Sequence, residues 1–121
     1  MAYLGQACGG ARSNGPAQSW VWSTDRSTGR LAQKAATQGI TDGVLQDTVV
    51  LPFNDVAASR ALIEQHRHEL AVVVVDPVVS RMGFVQATRD YLEMLREVTE
   101  RHGILLMFDE VFSFRLGYHG A

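Results

Sequence analysis

Apolar residues fall into two kinds of run along this chain. Continuous runs stand at Val49-Val50-Leu51, at Leu70-Ala71-Val72-Val73-Val74-Val75 and at Ile104-Leu105-Leu106-Met107-Phe108. Short unbroken runs of this kind, rich in β-branched residues, predict strands buried on both faces of a parallel sheet. Between them the apolar residues recur at helical spacing. Val56, Arg60, Ile63 and Arg67 share one face, with Ala57, Ala61 and Leu62 widening it, so a helix is predicted to about His68. Asn54 and Asp55 are suitable N-caps for it. Tyr91, Leu92, Leu95, Val98 and His102 predict a second helix. Asp90 followed by Glu93 resembles a capping box at its start, and Gly103 suits the position just past its end.

The order is β-α-β-α-β, which implies an α/β fold with parallel pairing and right-handed crossovers. Residues 48–121 carry this pattern. Residues 1–47 hold most of the glycines and only isolated apolar residues, and read as an irregular segment with a short helix at most over 32–38.

Composition narrows the function classes. A chain of 121 residues with 46% apolar content is one globular domain or part of one. A net charge of -2 gives no electrostatic case for nucleic acid or an anionic membrane. The N-terminal residues lack a signal-peptide pattern, and the run from Leu70 to Val75 is far short of the roughly 20 residues that span a bilayer. Cys8 is the single cysteine, so no internal disulfide and no cysteine-based zinc site is expected, and a cytoplasmic location fits.

Asp76 and Asp109 each follow a predicted strand, on the face where open α/β sheets bind ligands. Three readings compete for Asp109-Glu110. An aspartate at a strand end often only caps the next turn. Apolar residues before Asp-Glu have the shape of a Walker B strand, but the accompanying Gly-rich loop with Lys is missing, because the one lysine, Lys34, lies in Ala32-Gln33-Lys34-Ala35-Ala36. The third reading is an aspartate beneath the pyridine nitrogen of pyridoxal phosphate, keeping that nitrogen protonated so that the ring accepts electrons. Val111, two positions on, then points the same way and packs on the ring.

From about Gly39 onward the chain resembles the large domain of class III, fold-type I, pyridoxal-phosphate aminotransferases, with the glutamate-1-semialdehyde aminomutase-like group nearest. The matching stretches are Val49 to Asp55, Val75-Asp76-Pro77-Val78 with Met82-Gly83, and Leu105 to Val111, followed by Phe114 to Ala121. The resemblance implies the β-α-β-α-β portion of an aspartate-aminotransferase-like large domain. It also implies pyridoxal 5'-phosphate as cofactor, Asp109 on its ring nitrogen and Val111 on its face. Small-molecule amino donors and acceptors, and a homodimer, follow from the family.

Departures from the family pattern shape the expectation. Its Schiff-base lysine lies beyond the Asp-Glu-Val strand and is not matched here, so no catalytic lysine is assigned. Its Tyr-His-Gly segment and glycine-rich phosphate turn are not found in residues 1–47. Position 76 is Asp where many relatives have Glu, Ser80-Arg81 replaces Gly-Asn, and the stretch after Val111 is one residue shorter. The chain is therefore expected to be a fragment, inactive alone. The alternative is a non-catalytic remnant serving as a structural or interaction piece.

Arg81, in the loop after Asp76, is the candidate for a substrate carboxylate, against the ordinary reading of a solvated arginine. His66 and His68 diverge near a helix end, and His119 has no partner at ligand spacing, so no metal site is predicted.

Overall fold

The computed structural model describes residues 2–3, 22–24, 31–33, 47–80 and 83–120, the first three stretches as backbone only. In chain order the elements are β1 (Ala2–Tyr3), β2 (Trp22–Thr24), β3 (Leu31–Gln33), β4 (Val49–Val50), α1 (Val56–His66), β5 (Val72–Val75), β6 (Val78–Val79), β7 (Val85–Gln86), α2 (Arg89–His102) and β8 (Leu105–Phe108). The main sheet runs β4-β1-β5-β8, all parallel. Two antiparallel ribbons, β2-β3 and β6-β7, lie outside it.

The expected β4-α1-β5-α2-β8 order is present, with parallel strands. One feature differs. β4 and β5 are not neighbours, because β1 pairs with both, Ala2 opposite Val49 and Val73. The segment 1–47, predicted to be irregular, thus contributes a central strand and one ribbon. Strands of two or three residues are too short to show a period, and their partners lie elsewhere in the chain.

Asp55 caps α1, its Oδ1 accepting the Ala58 N–H at 3.0 Å. The start of α2 corrects the prediction. Thr88 is the cap, with its Oγ1 accepting from the Tyr91 N–H at 3.4 Å. Asp90 falls in the first turn, where a negative charge still favours the helix N-terminus. Glu93 is held by Arg89 one turn back at 2.7 Å instead of reaching for a cap. Gly103 ends α2 with φ +66, as its place in the sequence predicted.

Strand alternation sorts the sheet into two faces. Val73 and Val75, with Leu51 from the stretch after β4, pack against Ile63 of α1 and Tyr91, Met94, Leu95 and Val98 of α2. Leu106, in register with Val73, leans on the same core. The burial expected for α1 is revised: Ala57 and Ala61 are exposed, while Ser59 is fully buried. A polar residue is tolerated there because Ser59 Oγ donates to Pro52 O at 2.8 Å and lies 3.3 Å from the Tyr91 phenol.

The last strand was expected to be buried on both faces and is not. Leu105 is 71% and Met107 52% exposed. Among the described residues β8 is an edge strand, and its face opposite the helices is bare at Leu105 and Met107, while Val50 and Val74 on the same side of the sheet are buried. Among the described residues no helix is long and apolar enough to cross a membrane.

Candidate functional site

Among the described residues three loops meet at the carboxyl end of the sheet. The first follows β4, through Pro52, Phe53 and Asn54. Asn54 takes a left-handed backbone, φ +62, and its side chain bridges outward. Its Nδ2 donates to Gln86 O at 3.0 Å and its Oδ1 accepts the Thr88 N–H at 2.9 Å. That pair of bonds ties the β4 end to the second loop, which runs from Asp76 through the β6-β7 ribbon. The third loop begins at Asp109. Its N–H donates to Val75 O at 2.8 Å, so the β5-β8 ladder continues one step past the strands.

This step brings Asp76 and Asp109 into register, since Val75 pairs with Phe108. By strand alternation both aspartates fall on the face that carries Val72, Val74, Leu105 and Met107, away from α1 and α2. Each carboxylate caps its own turn: Asp76 Oδ1 accepts the Val78 N–H at 3.0 Å, and Asp109 Oδ1 accepts the Val111 N–H at 3.3 Å. Both residues are half-buried. Burial raises the Asp76 carboxyl above its ordinary range, and the Asp109 charge adds to this while the Val78 amide opposes it.

Around the acids lies an apolar rim. Phe84 and Phe112 meet edge to face with centroids 6.3 Å apart, joining the second and third loops. Val111 is 79% exposed and stands in a turn, so strand alternation from Asp109 does not reach it. Glu110 lies under the tail: a Cβ on Gly120 would fall 2.6 Å from its Oε1. Gly120 also has φ +96, so both space and backbone call for glycine there. Ser113 in the same turn is buried, and its Oγ has no hydrogen-bond partner among the described residues. The sequence offers no signal for Ser113, because nothing in the pattern of residues 109–121 marks one turn serine as buried.

Arg81 lies outside the described residues, as does Lys34. His66 contacts Glu69 at 3.3 Å, and the ring of His119 packs on Tyr118. Among the described residues no group of three or more His, Cys, Asp or Glu is placed to hold a metal ion.

The family model for aminotransferase class-III matches residues 23–115, beginning inside the segment expected to be irregular. The chain belongs to this family. Glutamate-1-semialdehyde 2,1-aminomutase from Limosilactobacillus reuteri is 45% identical over 84 residues, 69% of this chain and 20% of that enzyme. The same enzyme from Thermomicrobium roseum is 46% identical over 86 residues, 70% of this chain and 20% of the relative. Among solved structures, an omega-transaminase from Sphaerobacter thermophilus superposes with a TM-score of 0.79 at 38% identity, over 99% of this chain and 27% of its own. A transaminase with PLP bound gives 0.76 at 38% identity, with the same coverage. The chain thus spans about a fifth of the length of the curated relatives it matches.

Proposed function

We propose that this chain is the cofactor-ring-binding portion of a pyridoxal-phosphate-dependent aminotransferase or aminomutase. The observation that carries the reading is the Asp109 carboxylate, set at the end of a parallel strand on the face that the helices leave open. Its likeness to a PLP-bound transaminase supports the same assignment.

The donor set fits a pyridine ring. Asp109 commits one oxygen to the Val111 amide, which orients the carboxylate, and among the described residues the other oxygen takes no hydrogen bond. A half-buried carboxylate suits a protonated ring nitrogen as its partner, because ion pairs strengthen as water withdraws. Val111, bare at the rim, offers an apolar surface for the ring's flat face. Bound there, pyridoxal phosphate supplies an electron sink for charge that develops at a substrate carbon. The part of Asp109 is to hold the nitrogen's proton in place throughout. The part of Asn54 is to lock the β4 end to the loop that carries Asp76, so that this side of the site is fixed before any ligand arrives.

Arg81 remains the candidate for a substrate carboxylate, on its place in the loop after Asp76. The lysine needed for covalent attachment is assigned to no residue here, and we propose that the chain alone does not complete amino transfer. The shortness of the matched span supports this. Small amino donors and acceptors, a homodimer and a cytoplasmic location belong to the same reading.

The test is a titration of the purified chain with pyridoxal phosphate, followed by absorbance and by equilibrium dialysis. Saturable binding weakened about tenfold or more by Asp109→Ala is expected, since a charge-assisted bond of 1.5–3 kcal/mol is removed. Binding that ignores Asp109 overturns the site. A chain that binds no cofactor at all is a structural remnant.

A further inference from the structure

Asp76 is the group in this site that the cofactor reading leaves without a task. Resting on that reading, we propose that Asp76 is a second ring-positioning residue, which in its protonated form donates a hydrogen bond to the phenol oxygen of the pyridoxal ring while Asp109 holds the nitrogen.

The spacing argues for it. Asp76 and Asp109 stand in register on neighbouring parallel strands, and the Asp109 N–H to Val75 O bond of 2.8 Å keeps the two strand ends together. Residues in register point to the same face and sit about 4.8 Å apart, the strand separation. On the pyridoxal ring the nitrogen and the phenol oxygen share one edge, on either side of the methyl-bearing carbon. Two acids one strand apart can therefore address both atoms of that edge at once. Each aspartate spends Oδ1 on its own turn, accepting from the Val78 and Val111 amides respectively, so each carboxyl group is anchored by the amide two residues on.

The chemistry agrees with the spacing. The phenol oxygen of pyridoxal carries negative charge when the ring nitrogen is protonated, so its partner must be a donor. Two carboxylates this close do not both ionise freely, and the group that burial already disfavours as an anion keeps the proton longer. Asp76 is that group: burial and the Asp109 charge both push its carboxyl up. Of the elements flanking β5, β8 leads into Asp109, and β1 brings Tyr3, in register with Val74, as its one titratable residue.

The experiment compares the binding of pyridoxal 5'-phosphate with that of its 3-O-methyl derivative, which loses the charged phenol oxygen. The wild-type chain is expected to prefer the parent by about tenfold, the share of one charge-assisted bond. Asp76→Ala should abolish the preference while leaving the weakening by Asp109→Ala intact, and Asp76→Asn, whose amide still donates, should retain most of it. A preference that survives in Asp76→Ala overturns the proposal. If the wild type binds neither ligand, or Asp109→Ala changes nothing, the cofactor reading itself has failed. A carbon-13 titration of the Asp76 carboxyl then decides on the free chain. It should titrate above the ordinary aspartate range and move down in Asp109→Asn. A carboxyl that titrates normally, or ignores Asp109, removes the basis for a protonated donor.

Discussion

Ser59 and Tyr91 meet inside the core, with Oγ and the phenol oxygen 3.3 Å apart. Ser59 donates its own proton to Pro52 O, so the Tyr91 hydroxyl is the donor of the pair. The bond joins α1 to α2 in a place without water, and the Tyr91 ring also stands edge-on to Phe53 at 5.7 Å. Burial pushes the Tyr91 phenol up to about 12 from 10.0.

That shift gives the fold an alkaline dependence. The unfolded chain releases the phenol proton near pH 10.0, while the folded chain keeps it until about 12. The unfolded state then binds fewer protons, and stability falls as pH rises through this window. Denaturant midpoints measured at rising alkaline pH should decline in the wild type. In Tyr91→Phe the decline should be shallower, with a lower midpoint at neutral pH from the lost bond, worth about 1 kcal/mol.

The outer clamp between the helices adds an acid dependence. His102 Nε2 lies 2.8 Å from Glu64 Oε2, and Arg60 reaches Glu97 at 2.7 Å, with Arg101 touching both glutamates. His102 first and the arginines after it hold Glu64 below its ordinary range, and Arg60 does the same for Glu97. Carboxylates held low stabilise the fold above the unfolded value of 4.5 and lose that contribution as pH falls below it. Acid unfolding of Glu97→Gln should begin from a slightly lower neutral-pH stability and show a weaker dependence on pH. Because these pairs are exposed, high salt should erase much of the difference.

Gly103 closes α2 in the left-handed region, and its N–H donates to Glu100 O at 3.3 Å while the Ile104 N–H reaches Thr99 O at 2.9 Å. A Cβ at this position meets nothing within 4 Å, so Gly103→Ala carries backbone strain alone. The cost should be about 1 kcal/mol, read from chemical denaturation, with the circular dichroism of the folded state unchanged.

Leu105 and Met107 present bare apolar surface on the open face of an edge strand, which is a template for association. Leu105→Lys combined with Met107→Gln should raise the soluble fraction of the expressed chain and reduce its light scattering. The midpoint of unfolding should stay within about 0.5 kcal/mol, the range for exposed substitutions. A large loss of stability would mean that this face is covered in solution.

The two helices and the strands β5 and β8 were legible because each is long enough to show a period or an unbroken apolar run. Asp55 and Gly103 could be placed from the chemistry of helix ends alone. Thr88 was missed as a cap because Asp90-Glu93 imitates one two residues later, and the choice between them depends on where the backbone turns. Ser59 was missed as a core residue because a serine is buried only where partners await it. Those partners are Pro52, 7 residues away, and Tyr91, 32 away.

By itself, the sequence determined the class of the fold, the parallel order of its main strands and the acid at the end of the last one. Apolar runs and helical spacing are local properties, and the hydrophobic effect acts on them wherever the chain goes. Tertiary structure alone decided that β1 enters the sheet between β4 and β5, and that β8 lies at an edge with one face bare. It also decided that Asp76 stands beside Asp109. Those outcomes depend on which strands pair and in what register, a matter of contacts between residues distant in the chain, and no local pattern encodes them.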